Sequence, residues 1–520
     1  MRFSINTDHV AFHPENLKEA TAVKELPLLL KAPRKPSVVA NLIKRLGLNI
    51  KVQPFILKEL PSTFKFHTAP LPHQELALRF LYTFGGGGLL AEPGMGKTKI
   101  VLDFIHLMQF QKVVIVAPLP LLEVWGGEIV KHRPELRCHI PKKVSSATLE
   151  GSGVINLLNY EKAKLLEKQV IRFKTDFLFL DEALIKDPTT ARTKSMLRIA
   201  KTVPYRGIGS GTLVNNSPLD VFAPVQFVEP SLVGRSFTTF RDRYTDREDW
   251  MPHYMYRGFR DTEEISEIIE ACSIVLRKDD WLKDLPKKQY FIENLTLPEE
   301  QRRVWDDLIR NKIAEVDGDY IEVDNSLSLF AKLAQISSGF IYKNDNVPFF
   351  FREQPKLDRV INLLRESGKR VILWFNYRAE GLMAAETLAE QGISFLQVDG
   401  RTKSVKEIVD KFNHGNDQVL LSQAKVLNYG QTILGDIEYR VDNSIYTQYF
   451  LSENWSLQVS RQQEDRTHRI GLKVPPSYTR FMVTPLDRDI RRTLEDKRSV
   501  DREIMERIVN DYKTEEGGVQ

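Results

Sequence analysis

Short, unbroken apolar runs, each ending in a polar loop, set the rhythm of this chain. VVIVAPLP (Val113 to Pro120), VINLLNY (Val154 to Tyr160) and FLFLDEA (Phe177 to Ala183) share that form. They are too short for buried helices and do not alternate as half-exposed strands do, so they predict strands of a parallel sheet covered on both faces by the helical stretches between them. The rhythm begins near Phe66 and breaks over residues 228–350, a stretch rich in charge and aromatics. There EEISEIIEACSIVLR (Glu263 to Arg277) has helical spacing and predicts a largely helical insertion. It returns at RVILWFNY (Arg370 to Tyr377), SFLQVDG (Ser394 to Gly400) and QVLLSQ (Gln418 to Gln423). In the tail, Ile490, Leu494, Ile504 and Ile508 form one helix stripe broken near Asp501, as in a brace packed on a lobe.

The expected class is therefore α/β, with five parts: a basic accessory module (1–62), a first parallel-sheet lobe (63–227), a mainly helical insertion (228–350), a second parallel-sheet lobe (351–485) and C-terminal brace helices (486–520). A length of 520 residues suits several domains rather than one core. The 42% hydrophobic and 28% charged fractions are those of a globular protein. Two cysteines, Cys138 and Cys272, exclude a disulfide framework and point to a reducing, cytoplasmic compartment. No apolar run reaches the ~20 residues of a membrane span, and MRFSINTDHV lacks the apolar core of a signal peptide. The net charge of +5 permits nucleic-acid binding without requiring it. Between Lys18 and Lys58, nine Lys or Arg stand against two Glu, and Ser37 to Ile43 could begin a short helix. That segment suits either a solvated packing face or an accessory surface for DNA phosphates.

Candidate chemistry begins at AEPGMGKT (Ala91 to Thr98), after the apolar run GGGGLLAE. Gly94 and Gly96 let backbone N–H groups around Met95 approach phosphate oxygens, with a helix N-terminus behind them. Lys97 would reach the β- and γ-phosphates of ATP and the Thr98 hydroxyl would ligate Mg2+, with Lys99 next in line. The strict pattern wants glycine at position 91, where this chain has alanine. Asp181-Glu182, ending an apolar strand, supply a carboxylate to hold Mg2+ through water and one to polarise the attacking water. Gln74 precedes the loop by about twenty residues and carries an amide able to read the adenine edge. Far downstream, QQEDRTHRIG (Gln462 to Gly471) holds Arg466 and Arg469 three apart. Their planar, permanently charged forks suit a γ-phosphate bound elsewhere in the chain, as in two lobes closing on one nucleotide.

These residues, taken together and in order, resemble a superfamily II helicase-type ATPase of the Swi/Snf group, from about Leu71 to about Lys497. LPHQ resembles the adenine motif, and AEPGMGKT the phosphate loop usually written DEMGLGKT. DEALIKDP resembles the DEAH box, and GSGTLVNNSPLD the coupling motif. RKDDWLKDLPKK, LTLPEEQRRVW, QISSG, VDGRT and QQEDRTHRIG complete the series. The resemblance implies two RecA-like lobes, a coupling role for Gly211, Thr212 and Gln462, and contacts to a DNA backbone from Pro118, Leu119, Asn159, Tyr160, Asn376, Arg378 and Arg401. It implies a DNA-stimulated, monomeric translocase of bacterial or phage type acting on double-stranded or branched DNA in fork regression, branch migration, recombination or repair. Replication, recombination or transcription proteins are its implied partners, with no membrane. Displacement of RNA polymerase from DNA and a degenerate nucleic-acid-binding scaffold are the alternatives. The chain departs from the family pattern at several points. Leu184 follows Ala183 where the box has histidine, Thr212-Leu213 replaces Thr-Pro, SQAKVLNYGQTI lacks a glycine pair, and Leu472 replaces a glutamine.

Overall fold

A computed structural model describes residues 2–5, 10–13, 57–141, 149–211, 213–214, 217–246, 258–343, 346–427, 433–435 and 445–496. Most of the basic module, its expected helix, Thr212 and the tail beyond residue 496 lie outside the described residues. The chain divides into two compact units between Trp281 and Leu282.

The first unit is built on a seven-stranded sheet. Its strands are β1 (Gly87–Ala91), β2 (Lys112–Ala117), β3 (Arg137–His139), β4 (Val154–Asn159), β5 (Phe177–Asp181), β6 (Tyr205–Ser210) and β7 (Ser273–Leu276). They lie in the order β7-β1-β6-β5-β2-β4-β3, and every pairing is parallel. The apolar runs of the sequence become the central strands, buried on both faces. Leu178 and Leu180 of β5 join the cluster that includes Met196, Phe222 and Ile269. On the other face Phe177 meets Phe104 of the helix after the phosphate loop, with ring centroids 5.3 Å apart. Each such side chain taken from water contributes about 1.5–3 kcal/mol.

The second unit carries a six-stranded sheet. Its strands are β8 (Gln289–Asn294), β9 (Val371–Phe375), β10 (Phe395–Val398), β11 (Val419–Gln423), β12 (Thr447–Phe450) and β13 (Ser477–Met482), in the order β8-β13-β12-β9-β11-β10. All pairings are again parallel. The continuous run VILWF serves two cores. Val371, Leu373 and Phe375 face one, with Val360 and Leu388, while Ile372 and Trp374 face the other, with Val409 and Phe412. Both units are thus doubly covered parallel sheets, the fold class expected.

The stretch 228–350 contains helices and also strands. The helical reading of Glu263 to Arg277 is corrected in its second half: the helix Thr262–Cys272 stops and Ser273–Leu276 becomes β7. Gly88 of β1 explains the change. A Cβ there would sit 2.5 Å from Ser273 Oγ, so only glycine lets the new strand pair so closely. The β-branched pair Ile274-Val275 then exchanges helix bonds for ladder bonds and deep burial. Further on, β8 joins the second sheet. A helix over residues 485–496 buries Ile490 and Leu494, the first half of the expected brace stripe.

Candidate active site

Loops leaving the C-terminal ends of neighbouring parallel strands form the site in the first unit, the usual position for ligands in such sheets. The phosphate loop leaves β1, Asp181-Glu182 ends β5, and Ser210-Gly211 ends β6, which lies between them. Ala91 is the last, fully buried residue of β1 rather than part of the loop, so its departure from glycine imposes no backbone cost.

α1 (Pro72–Phe84) and α2 (Lys97–Met108) bracket the loop. Gly96 is the N-cap of α2 at φ +81°, and a Cβ on it would lie 2.2 Å from Gln74 Nε2. Both its backbone angle and this approach therefore require glycine. Gln74 is buried, with both ends of its amide engaged. Nε2 donates to the Met95 carbonyl at 3.3 Å, and Oε1 accepts from the Leu71 N–H at 3.0 Å. His73, not singled out in the sequence, brings Nε2 to 2.9 Å from the same Met95 carbonyl, and burial lowers its pKa. The sequence signal was present in LPHQ, where the histidine adjoins the glutamine. Gly211 packs on the loop from the far side, its would-be Cβ 3.3 Å from Pro93.

Lys97 opens α2 and its Nζ donates to the Ala91 carbonyl at 2.7 Å. Its charge also favours the ionised form of Asp181. Thr98 follows, half-buried, in the first turn. Lys99 comes next, and its side chain takes another course. It points into the unit and bonds Asp103 at 2.6 Å above the Phe66 ring. One residue along a helix turns a side chain by about 100°, which carries Lys99 onto the buried face.

The acidic turn is tightly organised. Asp181 is wholly buried, and burial followed by the Glu182 charge pushes its pKa up to about 6. Oδ2 accepts from the Trp125 indole N–H at 2.9 Å, and Oδ1 from the Glu182 N–H at 3.0 Å. Glu182 itself takes a left-handed φ of +54°, uncommon for a residue with a side chain. A carboxylate so placed, with a threonine hydroxyl in the first turn of α2, is the oxygen donor set Mg2+ prefers. A divalent ion nearby would restore the charge that burial disfavours.

Among the expected DNA contacts, Leu119 is 62% exposed and Arg378 is exposed, while Arg401, also exposed, pairs with Asp399 at 2.5 Å. Pro118 and Tyr160 are both buried, so neither side chain is exposed to meet a backbone. The Tyr160 hydroxyl donates to the Asp181 carbonyl at 2.9 Å and accepts from the Leu184 N–H at 3.2 Å. Asn159 caps the helix Tyr160–Leu165, accepting from the Lys162 N–H at 2.7 Å. Asn376 is tied to Ser452 and Asn454.

In the second unit, Arg466 and Arg469 follow the helix Leu457–Glu464. Each sends Nε to the carbonyl four residues earlier, Gln462 at 3.0 Å and Asp465 at 3.1 Å. Arg466 is only 2% exposed and Arg469 is half-buried. Gln462 is buried, and it is its backbone carbonyl that accepts from Arg466. A cluster that sequence reasoning missed fixes the segment from below. Lys288 Nζ reaches Glu464 at 3.2 Å and Asp465 at 3.1 Å, and Arg480 bonds Glu464 at 2.8 Å. Burial alone would depress Lys288, but Asp465 and Glu464 together raise it well above its ordinary value. Lys288 lies in LPKKQ, which the sequence marks only as part of a family stretch.

Family models match most of the chain. The SNF2-related domain matches residues 73–338, and the Helicase conserved C-terminal domain matches residues 355–471. Among curated relatives, an uncharacterized ATP-dependent helicase of Mycoplasma genitalium is 27% identical over 408 residues, covering 74% of this chain and 37% of its own length. A SWI/SNF-related matrix-associated actin-dependent regulator of chromatin subfamily A-like protein 1 of Xenopus tropicalis is 21% identical over 417 residues, covering 77% of this chain and 41% of its own length. The chain therefore spans about two fifths of these relatives. A solved Sulfolobus solfataricus SWI2/SNF2 ATPase core in complex with dsDNA is 20% identical, with a TM-score of 0.41, over 86% of this chain and 95% of that one.

Proposed function

The chain belongs to the SNF2-related family of helicase-type ATPases, and on that premise we propose that it is a DNA-stimulated ATPase that moves along duplex or branched DNA. Fork regression, branch migration, recombination and repair are the tasks such an activity serves. The observation that carries the reading is the placement of three loops on neighbouring strands of the first sheet: the phosphate loop, the Asp181-Glu182 turn and Gly211. A phosphate-binding loop beside a buried Asp181 and a Glu182 held at a left-handed φ suits hydrolysis of a nucleoside triphosphate.

The proposed roles combine this geometry with the family resemblance. Backbone N–H groups from Gly94 to Lys97 cradle phosphate oxygens at the N-terminus of α2. Lys97, near enough to Asp181 to favour its ionised form, neutralises phosphate charge. Thr98 and Asp181, the latter through water, are the residues to hold Mg2+, which when bound offsets charge on the transferring phosphoryl group. Glu182 orients and polarises the attacking water. Arg466 and Arg469, held by backbone carbonyls, are read as arginine fingers that stabilise charge developing on the γ-phosphate. Leu119, Arg378 and Arg401 are the exposed members of the set read as touching the DNA backbone. Such contacts carry no base code, so movement is sequence-tolerant.

Steady-state ATP turnover with no nucleic acid, single strand, duplex, fork and four-way junction tests the reading, with Lys97→Ala as control. Stimulation by duplex or branched DNA is expected, and equal turnover in all five conditions would refute it. The salt response is a second check. Affinity for DNA should fall steeply as salt rises, because phosphate neutralisation releases counterions.

A further inference from the structure

Two aromatic side chains from different elements converge on the acidic turn. Trp125 lies on the buried stripe of α3 (Leu121–His132) with Leu121, Leu122 and Ile129. Its indole donates to one carboxylate oxygen of Asp181. Tyr160, just beyond β4, uses one hydroxyl at both ends of the turn, donating to the Asp181 carbonyl and accepting from the Leu184 N–H. That N–H belongs to the residue standing where the family box has histidine. The turn thus closed holds Glu182 at φ +54°, a conformation that persists only where surroundings enforce it. Buried tryptophan and tyrosine usually find some partner for their polar atoms. Here both reach the same four-residue turn, one gripping a carboxylate and the other the backbone.

Building on the ATPase reading, we propose that Trp125 and Tyr160 are positioning residues for hydrolysis. Trp125 sets the rotation of the Asp181 carboxylate, and Tyr160 locks the turn that presents Glu182. Neither captures the nucleotide. Because Tyr160 follows Asn159 at the end of β4, its hydroxyl ties that loop to the hydrolytic turn.

Trp125→Phe and Tyr160→Phe keep a ring in place and remove only the polar atom. Each should lower kcat for ATP about tenfold, the effect of one lost buried hydrogen bond on a barrier, with KM changed less than about twofold. In Trp125→Phe, Mg2+ should also improve the affinity for a non-hydrolysable ATP analogue less than it does in the parent protein. In Tyr160→Phe, deuterium uptake over residues 181–185 should quicken while uptake elsewhere stays the same. Unchanged kcat in both variants, a rise in KM with kcat intact, or a loss of kcat that merely tracks a lower unfolding temperature overturns the proposal. If the parent protein hydrolyses no ATP with any DNA, the ATPase reading fails on its own. The positioning roles then stand or fall on the analogue affinities with and without Mg2+ and on the deuterium uptake.

Discussion

Lys99 Nζ donates to Asp103 Oδ2 at 2.6 Å, one turn further along α2, and Asp103 Oδ1 accepts from Arg133 Nε at 2.7 Å. All three side chains are buried. One carboxylate therefore serves two cations in the interior of the first unit, directly behind the phosphate loop. Removing it would leave Lys99 without its carboxylate and Arg133 with only Glu135 at 3.4 Å and the Lys65 carbonyl at 3.1 Å. Asp103→Ala should cost about 3–5 kcal/mol of stability, the usual penalty for breaking a buried pair, measured by urea denaturation. Lys99→Met should cost less, since Asp103 keeps Arg133. Equal losses would show that the lysine pair, not the shared carboxylate, dominates.

Two residues earlier on the same helix the outcome differs in kind. Lys97 spans the loop to the Ala91 carbonyl and helps to ionise Asp181. Lys97→Ala should abolish measurable turnover and weaken ATP binding, while the unfolding midpoint stays close to that of the parent protein. A titration with fluorescent ATP measures the first effect. Retained affinity would remove Lys97 from the phosphate site.

Glu182→Gln keeps the size and the backbone of the turn but loses the charge. ATP should still bind, and turnover should fall by about 10²–10⁴-fold, the range for a lost general base. Single-turnover kinetics separate the two steps. Normal hydrolysis in this variant would assign the water-activating role elsewhere.

The strands were legible in the sequence because buried parallel strands leave continuous apolar runs, and FLFLD and VILWF lie inside the runs that predicted them, each ending two residues earlier where the polar loop begins. Ser273–Leu276 was not legible as a strand, because its partner is the glycine-rich β1 nearly two hundred residues earlier and local spacing favoured the preceding helix. Spacing identified Lys97, Asp181 and Glu182 as a chemical set. It could not show which way Lys99 turns, nor that Trp125 and Tyr160 meet at Asp181, since side-chain direction is decided by packing. Tyr160 illustrates the limit: the same motif position reads as a backbone contact in sequence and is buried beneath the turn in the structure.

The two arginines of QQEDRTHRIG differ in burial and should differ in effect. Arg469, half-buried, should act chiefly on chemistry, so Arg469→Ala should reduce turnover by about 10³-fold or more with ATP affinity and the unfolding midpoint little changed. Arg466 is 2% exposed, and its backbone carbonyl accepts from the Ile433 N–H at 3.1 Å. Arg466→Ala should therefore lower the unfolding midpoint as well as turnover. Loss of DNA binding with turnover intact in Arg469→Ala would contradict a finger role.

Glu380 sets a pH dependence in the second unit. It lies in the first turn of the helix Arg378–Glu390, and burial raises its pKa. Oε2 accepts from the N–H groups of Asn376 at 2.9 Å and Tyr377 at 3.4 Å and from the Ser452 hydroxyl at 2.8 Å, and Lys356 also favours the ionised form. These offset only part of the burial cost, and Oε1 has no protein partner. A raised folded pKa means that the folded state binds the proton more tightly than the unfolded chain. Below the ordinary glutamate value both states are protonated, and the group's contribution is fully present. As pH rises through the folded value that contribution is lost. Glu380→Gln fixes the neutral form, and its amide oxygen can accept the same hydrogen bonds. Its unfolding midpoint should match the parent protein near pH 4 and exceed it at pH 7.5. A variant no more stable than the parent at pH 7.5 would show that the ionised carboxylate is fully compensated by Lys356, Ser452 and the helix N-terminus.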